Sequence, residues 1–159
     1  MTNPKRITAE TLRELPAAKV KQLFTQLGPV KVDELQHDWK FWGRDAQFPP
    51  TDNDWNTWLI NAGRGFGKTR CGAEWVREQV KLGHKRIACV ASTNSDIERV
   101  MVKGESGFLS VCWKHDKDNK GKLMGFPEWS PTKRSLTWAN GAKVEFYSAE
   151  EPERLRGPQ

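Results

Sequence analysis

The stretch NAGRGFGKTR, Asn61–Arg70, decides the fold. Gly63, Gly65 and Gly67 alternate through it, and Lys68 and Thr69 follow directly. A loop that holds a phosphate chain needs residues without a Cβ where the backbone comes close, amide N–H groups to donate, a lysine for charge and a hydroxyl for magnesium. All four are present. The usual spacing is glycine, four residues, then Gly-Lys-Ser/Thr; here Ala62 takes the first glycine position and Gly63 stands behind it. Ala62 is still small enough for a tight turn. The competing reading is a plain glycine-rich turn, and the flanking sequence argues against it.

Upstream, TWLIN (Thr57–Asn61) is a short β-branched and aromatic run that predicts a buried strand. Downstream, Cys71, Trp75, Val76, Gln79 and Val80 form a helical stripe that Gly83 ends. RIACVAS (Arg86–Ser92) then reads as a parallel strand covered on both faces. Strand, loop, helix and strand make a βαβ unit, and the helix N-terminus adds partial positive charge toward a phosphate. Lys68 is accordingly expected to reach the β- and γ-phosphates of ATP, and Thr69 to ligate Mg²⁺. Arg64 has two readings. Its guanidinium pairs with the γ-phosphate and stabilises charge in transfer, making it a catalytic candidate beside Lys68, or it is a surface charge or a salt bridge within the loop.

Further out, Leu12, Leu15, Val20, Leu23, Phe24 and Leu27 recur at helical spacing, with a break at Pro16 and a stop at Gly28–Pro29. Val32 to Trp42 predicts another helix, with Leu35, Trp39 and Trp42 on one face. FPPTDNDW (Phe48–Trp55) is a loop, so the chain is divided into an N-terminal helical segment, residues 1–47, and an α/β body, residues 48–159. Beyond Ser92, a helix capped by Asn94 or Ser95 runs through Ile97, Val100 and Met101 to Gly104. KHDKDNKGK (Lys114–Lys122) reads as a polar surface loop whose lysines are also available to DNA. SLTWANGAKVEFYS (Ser135–Ser148) predicts two strands turning at Asn140–Gly141.

Composition narrows the class. The chain has 159 residues, a net charge of +6 and a pI near 9.3, which suits a polyanionic partner without identifying one. It has no apolar run of the roughly 20 residues a membrane helix needs, and no signal peptide, so a cytoplasmic setting is expected. Cys71, Cys89 and Cys112 are too few for a disulfide framework. Cys112 and His115 have a metal-like spacing but lack a second ligand pair. The eight tryptophans are expected mainly in packing.

The segment DWKFWGRDAQFPPTDNDWNTWLINAGRGFGKTRCGAEWVRE (Asp38–Glu78) resembles the start of the ATPase domain of tailed-phage terminase large subunits, the motors that package DNA into empty capsids. YSAEEPERLRGPQ (Tyr147–Gln159) resembles a second stretch of the same family. The resemblance implies a RecA-like P-loop NTPase fold with a mainly parallel sheet, incomplete here. It places Arg64, Lys68 and Thr69 in the nucleotide site. It suggests that Gln47 reads the adenine, the alternative being a solvent-facing glutamine. Arg154 and Arg156 become candidates for acting on nucleotide in a neighbouring subunit or responding to DNA, with surface salt bridges as the alternative. Double-stranded DNA, a terminase small subunit, a portal ring and a homo-oligomer are the implied partners, in the cytoplasm of a bacterial host.

In this family the acidic residues that hold Mg²⁺ and activate water lie beyond the RLRG segment, and a nuclease domain follows. Glu150 and Glu151 occupy the loop before RLRG and are not assigned that role. Weak binding of Mg·ATP at best, with little or no turnover, is therefore the expectation for these 159 residues. A catalytically inactive nucleotide- or DNA-binding prophage remnant is the alternative, and a small kinase lacks a convincing acceptor site.

Overall fold

A computed structural model describes residues 8–51 and 54–156, with side chains as far as Arg154. The last three residues of the RLRG-containing stretch, 157–159, and the side chain of Arg156 lie outside the described residues, as do residues 52–53 of the expected FPPTDNDW loop. The chain forms two compact units, Met1–Leu59 and Ile60–Gln159.

The first unit is helical. Helix α1, Ala9–Arg13, opens with a reciprocal cap in which Thr8 N–H donates to Thr11 Oγ1 and Thr11 N–H to Thr8 Oγ1. Helix α2, Ala17–Gln36, starts after Pro16 as expected and is kinked rather than stopped by Gly28, whose φ of 75° breaks the ladder ahead of Pro29. The single helix expected over residues 32–42 is two. Asp38 supplies the reason: its side chain accepts from Lys40 N–H and caps a new helix, α3, Trp39–Trp42. Trp42 still reaches back, donating its indole N–H to Leu35 O at 2.8 Å. Phe41 is the one apolar side chain buried among the described residues of this unit.

The second unit is built on helix α4, Lys68–Leu82. Gly83 ends it in the left-handed region, with Gly83 N–H donating to Val80 O and His84 N–H to Gln79 O, which satisfies the last carbonyls. Strand β1, Arg86–Ala91, follows. Thr93, not Asn94 or Ser95, caps the next helical segment, because its Oγ1 accepts from Asp96 N–H at 3.0 Å. That segment begins as α5, Asn94–Asp96, and widens into a π-helical turn over Ile97–Val102. A short helix α6, Phe108–Val111, leads through the 114–122 loop to strands β2, Glu128–Ser130, β3, Ser135–Thr137, and β4, Lys143–Ser148.

The sheet order is β1-β4-β3-β2. The expected hairpin is β3–β4, with Gly141 at φ 84° in its turn. The expected mainly parallel sheet is mixed: β1 pairs with β4 in parallel, while β4–β3 and β3–β2 are antiparallel. Two features account for the difference. A hairpin turn forces neighbouring strands to run opposite ways, and residues 57–61 form no strand. A strand exists only where a neighbour supplies ladder bonds; Leu59 is instead 82% exposed. The expected first strand of the βαβ unit is thus not formed.

The core lies on one face of the sheet. Cys89, Leu136, Val144 and Phe146 point inward onto Ala73, Val76 and Val80 of α4 and onto Ile97, Val102, Phe108 and Val111. Phe146 packs edge-on between Phe108 and Trp129, both at 5.5 Å between ring centroids. β1 is therefore covered on one face only, contrary to expectation: its apolar run continues onto the other face, where Val90 is 51% exposed. Of the eight tryptophans only Trp138 is fully buried; the others are half-buried, and Trp42 is exposed.

Candidate functional site

The glycine-rich loop turns directly into α4. Gly65 at φ 82° and Gly67 at φ 93° occupy the left-handed region, where any Cβ is strained, and their alternation lets the chain double back within a few residues. Gly63 has no such φ, and open space surrounds the positions a Cβ would take at Gly63 and Gly65. Lys68 closes the loop on itself: its Nζ donates to Ala62 O at 2.8 Å and to Gly63 O at 2.9 Å. An ammonium so placed lies over the loop's mouth with its remaining donor capacity facing out. Cys71 N–H donates to Gly67 O, and the N–H groups of Lys68 and Thr69, at the start of α4, have no acceptor within the helix. Arg64 and Thr69 are exposed beside them, and neither side chain has an ion pair or hydrogen bond among the described residues.

The arrangement concentrates donors and positive charge at the end of a helix whose dipole has the same sign. It fits a phosphate chain: backbone donors, a lysine held by weak carbonyl contacts that an anion can replace, and a hydroxyl on the first turn. A magnesium ion fits less completely, since Thr69 is the only ligand that the loop itself offers.

Below the loop, α4 is anchored by ion pairs that composition and spacing had not singled out. Arg70 donates to Glu74 at 2.8 Å, and Arg77 donates to Glu74 at 3.0 Å and to both oxygens of Asp116 at 2.6 Å. Lys81 Nζ reaches Asp116 Oδ1 at 3.0 Å. Glu74, Arg77 and Asp116 are buried. Burial opposes charge on Arg77, but the bonds to Asp116 and the charges of Asp116 and Glu74 outweigh it and hold its pKa above the ordinary value. Burial likewise opposes charge on Asp116, yet Arg77 and Lys81 keep its pKa below the usual carboxylate range. The i, i+3 and i, i+4 spacing of Glu74 with Arg70 and Arg77 was readable as helix pairing. Asp116 was not, because nothing in KHDKDNKGK distinguishes its one inward-facing carboxylate.

Two further expected site residues, Gln47 and Arg154, have partners of their own. Gln47, in the first unit, is 7% exposed, and its Oε1 accepts from Arg44 N–H at 2.9 Å. Arg154 donates to Glu151 at 3.2 Å, where Glu151 also receives Arg134 at 3.1 Å and Asn94 Nδ2 at 2.8 Å. Asn94 follows β1 and Glu151 follows β4, so this cluster sits at the carboxyl ends of the parallel pair. Bonds from Arg134, Asn94 and Arg154 lower the Glu151 carboxyl to about 2. Cys112 is buried, and its thiol is pushed up to about 12 by that burial, while His115 stacks edge-on against Trp113 at 5.0 Å. Among the described residues no group of His, Cys, Asp and Glu side chains could hold a metal ion, and no helix is long and apolar enough to cross a membrane.

A glycine-rich loop leading into a packed helix, backed by a small mixed sheet, defines an α/β protein with that loop at a helix N-terminus. The family described as terminase large subunit, T4likevirus-type, N-terminal, matches residues 59–159, and the chain belongs to it. That membership carries a role in phage DNA packaging. Comparisons with curated proteins and with solved structures gave no match.

Proposed function

We propose that this chain supplies the nucleotide-binding part of a packaging ATPase, with a RecA-like arrangement around a P-loop at Ala62–Thr69. The observation that carries the proposal is Lys68 Nζ folded onto the carbonyls of Ala62 and Gly63 at the mouth of the loop, with Gly65 and Gly67 at positive φ. Phosphate oxygens are stronger acceptors for an ammonium than neutral carbonyls, because the bond becomes charge-assisted on both sides. Lys68 therefore exchanges its loop contacts for the β- and γ-phosphates, while the backbone N–H groups of Lys68 and Thr69 take the remaining oxygens. Arg64 pairs with the γ-phosphate, and the Thr69 hydroxyl ligates Mg²⁺. Bound Mg·ATP supplies the phosphoryl group whose transfer drives the motor; these residues bind and orient it.

Arg154 acts across a subunit boundary in this scheme, and Arg156 with it, in a homo-oligomer that works on double-stranded DNA with a small subunit and a portal ring in the host cytoplasm. Family membership supports this setting. Gln47 contributes an amide, a donor and an acceptor in one group, suited to the adenine edge.

Calorimetric titration with Mg·ATP, with phosphate release followed in the same sample, tests the proposal. Lys68→Ala is expected to weaken binding by about 1.5–3 kcal/mol, roughly 10- to 150-fold, as loss of a charged hydrogen bond does. Equal affinity of the two proteins would remove the phosphate loop from the account.

A further inference from the structure

The protein's positive charge is concentrated at the end of α4 farthest from the glycine loop. Segments 81–86 and 114–122 hold seven lysines and arginines against two aspartates, so five of the six net positive charges fall on fifteen residues. The fold brings the two segments together. Asn119 N–H donates to Lys81 O at 2.8 Å, and Asn119 Nδ2 donates to Leu82 O at 2.8 Å, which ties the loop to the last carbonyls of the helix. Lys85 Nζ donates to Asn140 O at 2.7 Å and fixes the strand entrance beside them. Asp116 is buried between Arg77 and Lys81, so it answers those two cations rather than the exposed lysines of its own loop. Asp118 accepts from Lys120 N–H and Lys122 N–H and is the one carboxylate set among these cations. Lys114, Lys117, Lys120 and Lys122 remain exposed, with Lys85 and Arg86 next to them.

We infer that this lysine surface, formed by the end of α4, the start of β1 and the 114–122 loop, binds the phosphate backbone of double-stranded DNA. The inference rests on the packaging role and adds to it the place of contact. Lysine is depleted at protein–protein interfaces, and as a flexible point charge it suits backbone contact that carries no sequence information. A motor that moves DNA of any sequence requires that kind of contact. Helix α4 has fifteen residues, so its two ends lie about 22 Å apart. One rigid helix, pinned by Arg77 and Asp116, thus carries the nucleotide loop at one end and the DNA surface at the other.

The test is fluorescence anisotropy of the full chain with a short labelled duplex over a range of salt. Each phosphate contact contributes about 0.9 to the slope of log K against log salt. Replacing Lys114, Lys117, Lys120 and Lys122 by Gln is expected to lower that slope by roughly 3–4. Replacing exposed Lys19, Lys21, Lys31 and Lys40 by Gln removes the same charge from the helical unit and is expected to leave it unchanged. If the loop variant fails to fold, Arg86→Gln reports on the same surface, with an expected slope change of about 1. Equal slope losses from both quadruple variants, or an unchanged slope in Arg86→Gln and the loop variant, would overturn the inference. So would displacement of the duplex by polyglutamate at lower concentration than by unlabelled duplex, which would assign the surface to an acidic protein. Lys68→Ala is expected to bind the duplex normally, so loss of Mg·ATP binding and loss of DNA binding are separately readable.

Discussion

At the scale of single residues, the glycine loop and the ion pairs beneath it make opposite demands. Gly65 needs conformational freedom and has open space around it, so Gly65→Ala meets no clash but forces a left-handed φ on a side chain. The expected cost is about 1–2 kcal/mol of stability, read by urea denaturation, together with weaker Mg·ATP binding as the loop opens. Asp116 needs its partner. Asp116→Ala leaves the Arg77 guanidinium buried without the carboxylate that takes two of its bonds, and loss of one member of a buried pair typically costs about 3–5 kcal/mol. The double replacement Arg77→Met with Asp116→Leu is expected to recover much of that loss. Denaturation of the single and double variants checks both, and a single variant as stable as the parent would mean that the pair contributes little. In both cases the chemistry was partly legible. GRGFGK announces its backbone demands by composition, whereas the inward turn of Asp116 depends on tertiary packing that no local pattern encodes.

Elements are held at their ends, and those ends give the next predictions. Gly107 follows the π-helical turn at Ile97–Val102 so closely that a Cβ would lie 2.7 Å from Met101 O and 2.8 Å from Val102 O. Gly107→Ala must therefore shift backbone, and a cost of about 1–3 kcal/mol is expected in denaturation. Glu151 joins the loop before β3, the start of α5 and the segment after β4 through Arg134, Asn94 and Arg154. Its folded-state carboxyl titrates at about 2 against an ordinary 4.5. The unfolded chain therefore binds the proton first on acidification, so the contribution is whole above about pH 4.5 and is lost as pH falls through about 2. Glu151→Gln is expected to flatten the fall in stability across that window; superimposable pH profiles would show that the cluster does not contribute. The hairpin at Asn140–Gly141 and the α4 stop at Gly83 were readable because local backbone chemistry sets them. The strand expected at 57–61, the unanticipated β2 and the mixed sheet were not, since strand existence depends on a partner far away in sequence.

The whole molecule concentrates its core in one unit. Every member of the apolar cluster lies between Ala73 and Phe146, while the helical unit buries only Phe41 among its described apolar side chains. Helix α2 buries none of its residues, so its apolar stripe contributes little of the area-dependent stabilisation that burial provides, about 25 cal/mol per Å². Stability is accordingly expected to reside in Ile60–Gln159. A chain limited to those residues should unfold cooperatively, with a midpoint close to that of the complete chain. For a domain of this size, about 1 kcal/mol corresponds to roughly 4–8 °C, so a shift smaller than that assigns the first unit no structural role in the second. A much larger drop would mean that the helices support the α/β unit through contacts formed in solution. The same pair of proteins separates the functional roles. The glycine loop and the lysine surface both belong to Ile60–Gln159, so the proposed Mg·ATP and duplex binding should survive removal of the helices. Gln47 is removed with them, and its proposed contact with adenine predicts a specific signature: the shortened chain should lose its preference for ATP over GTP while holding the triphosphate as before. Retained discrimination would assign base recognition to the α/β unit instead.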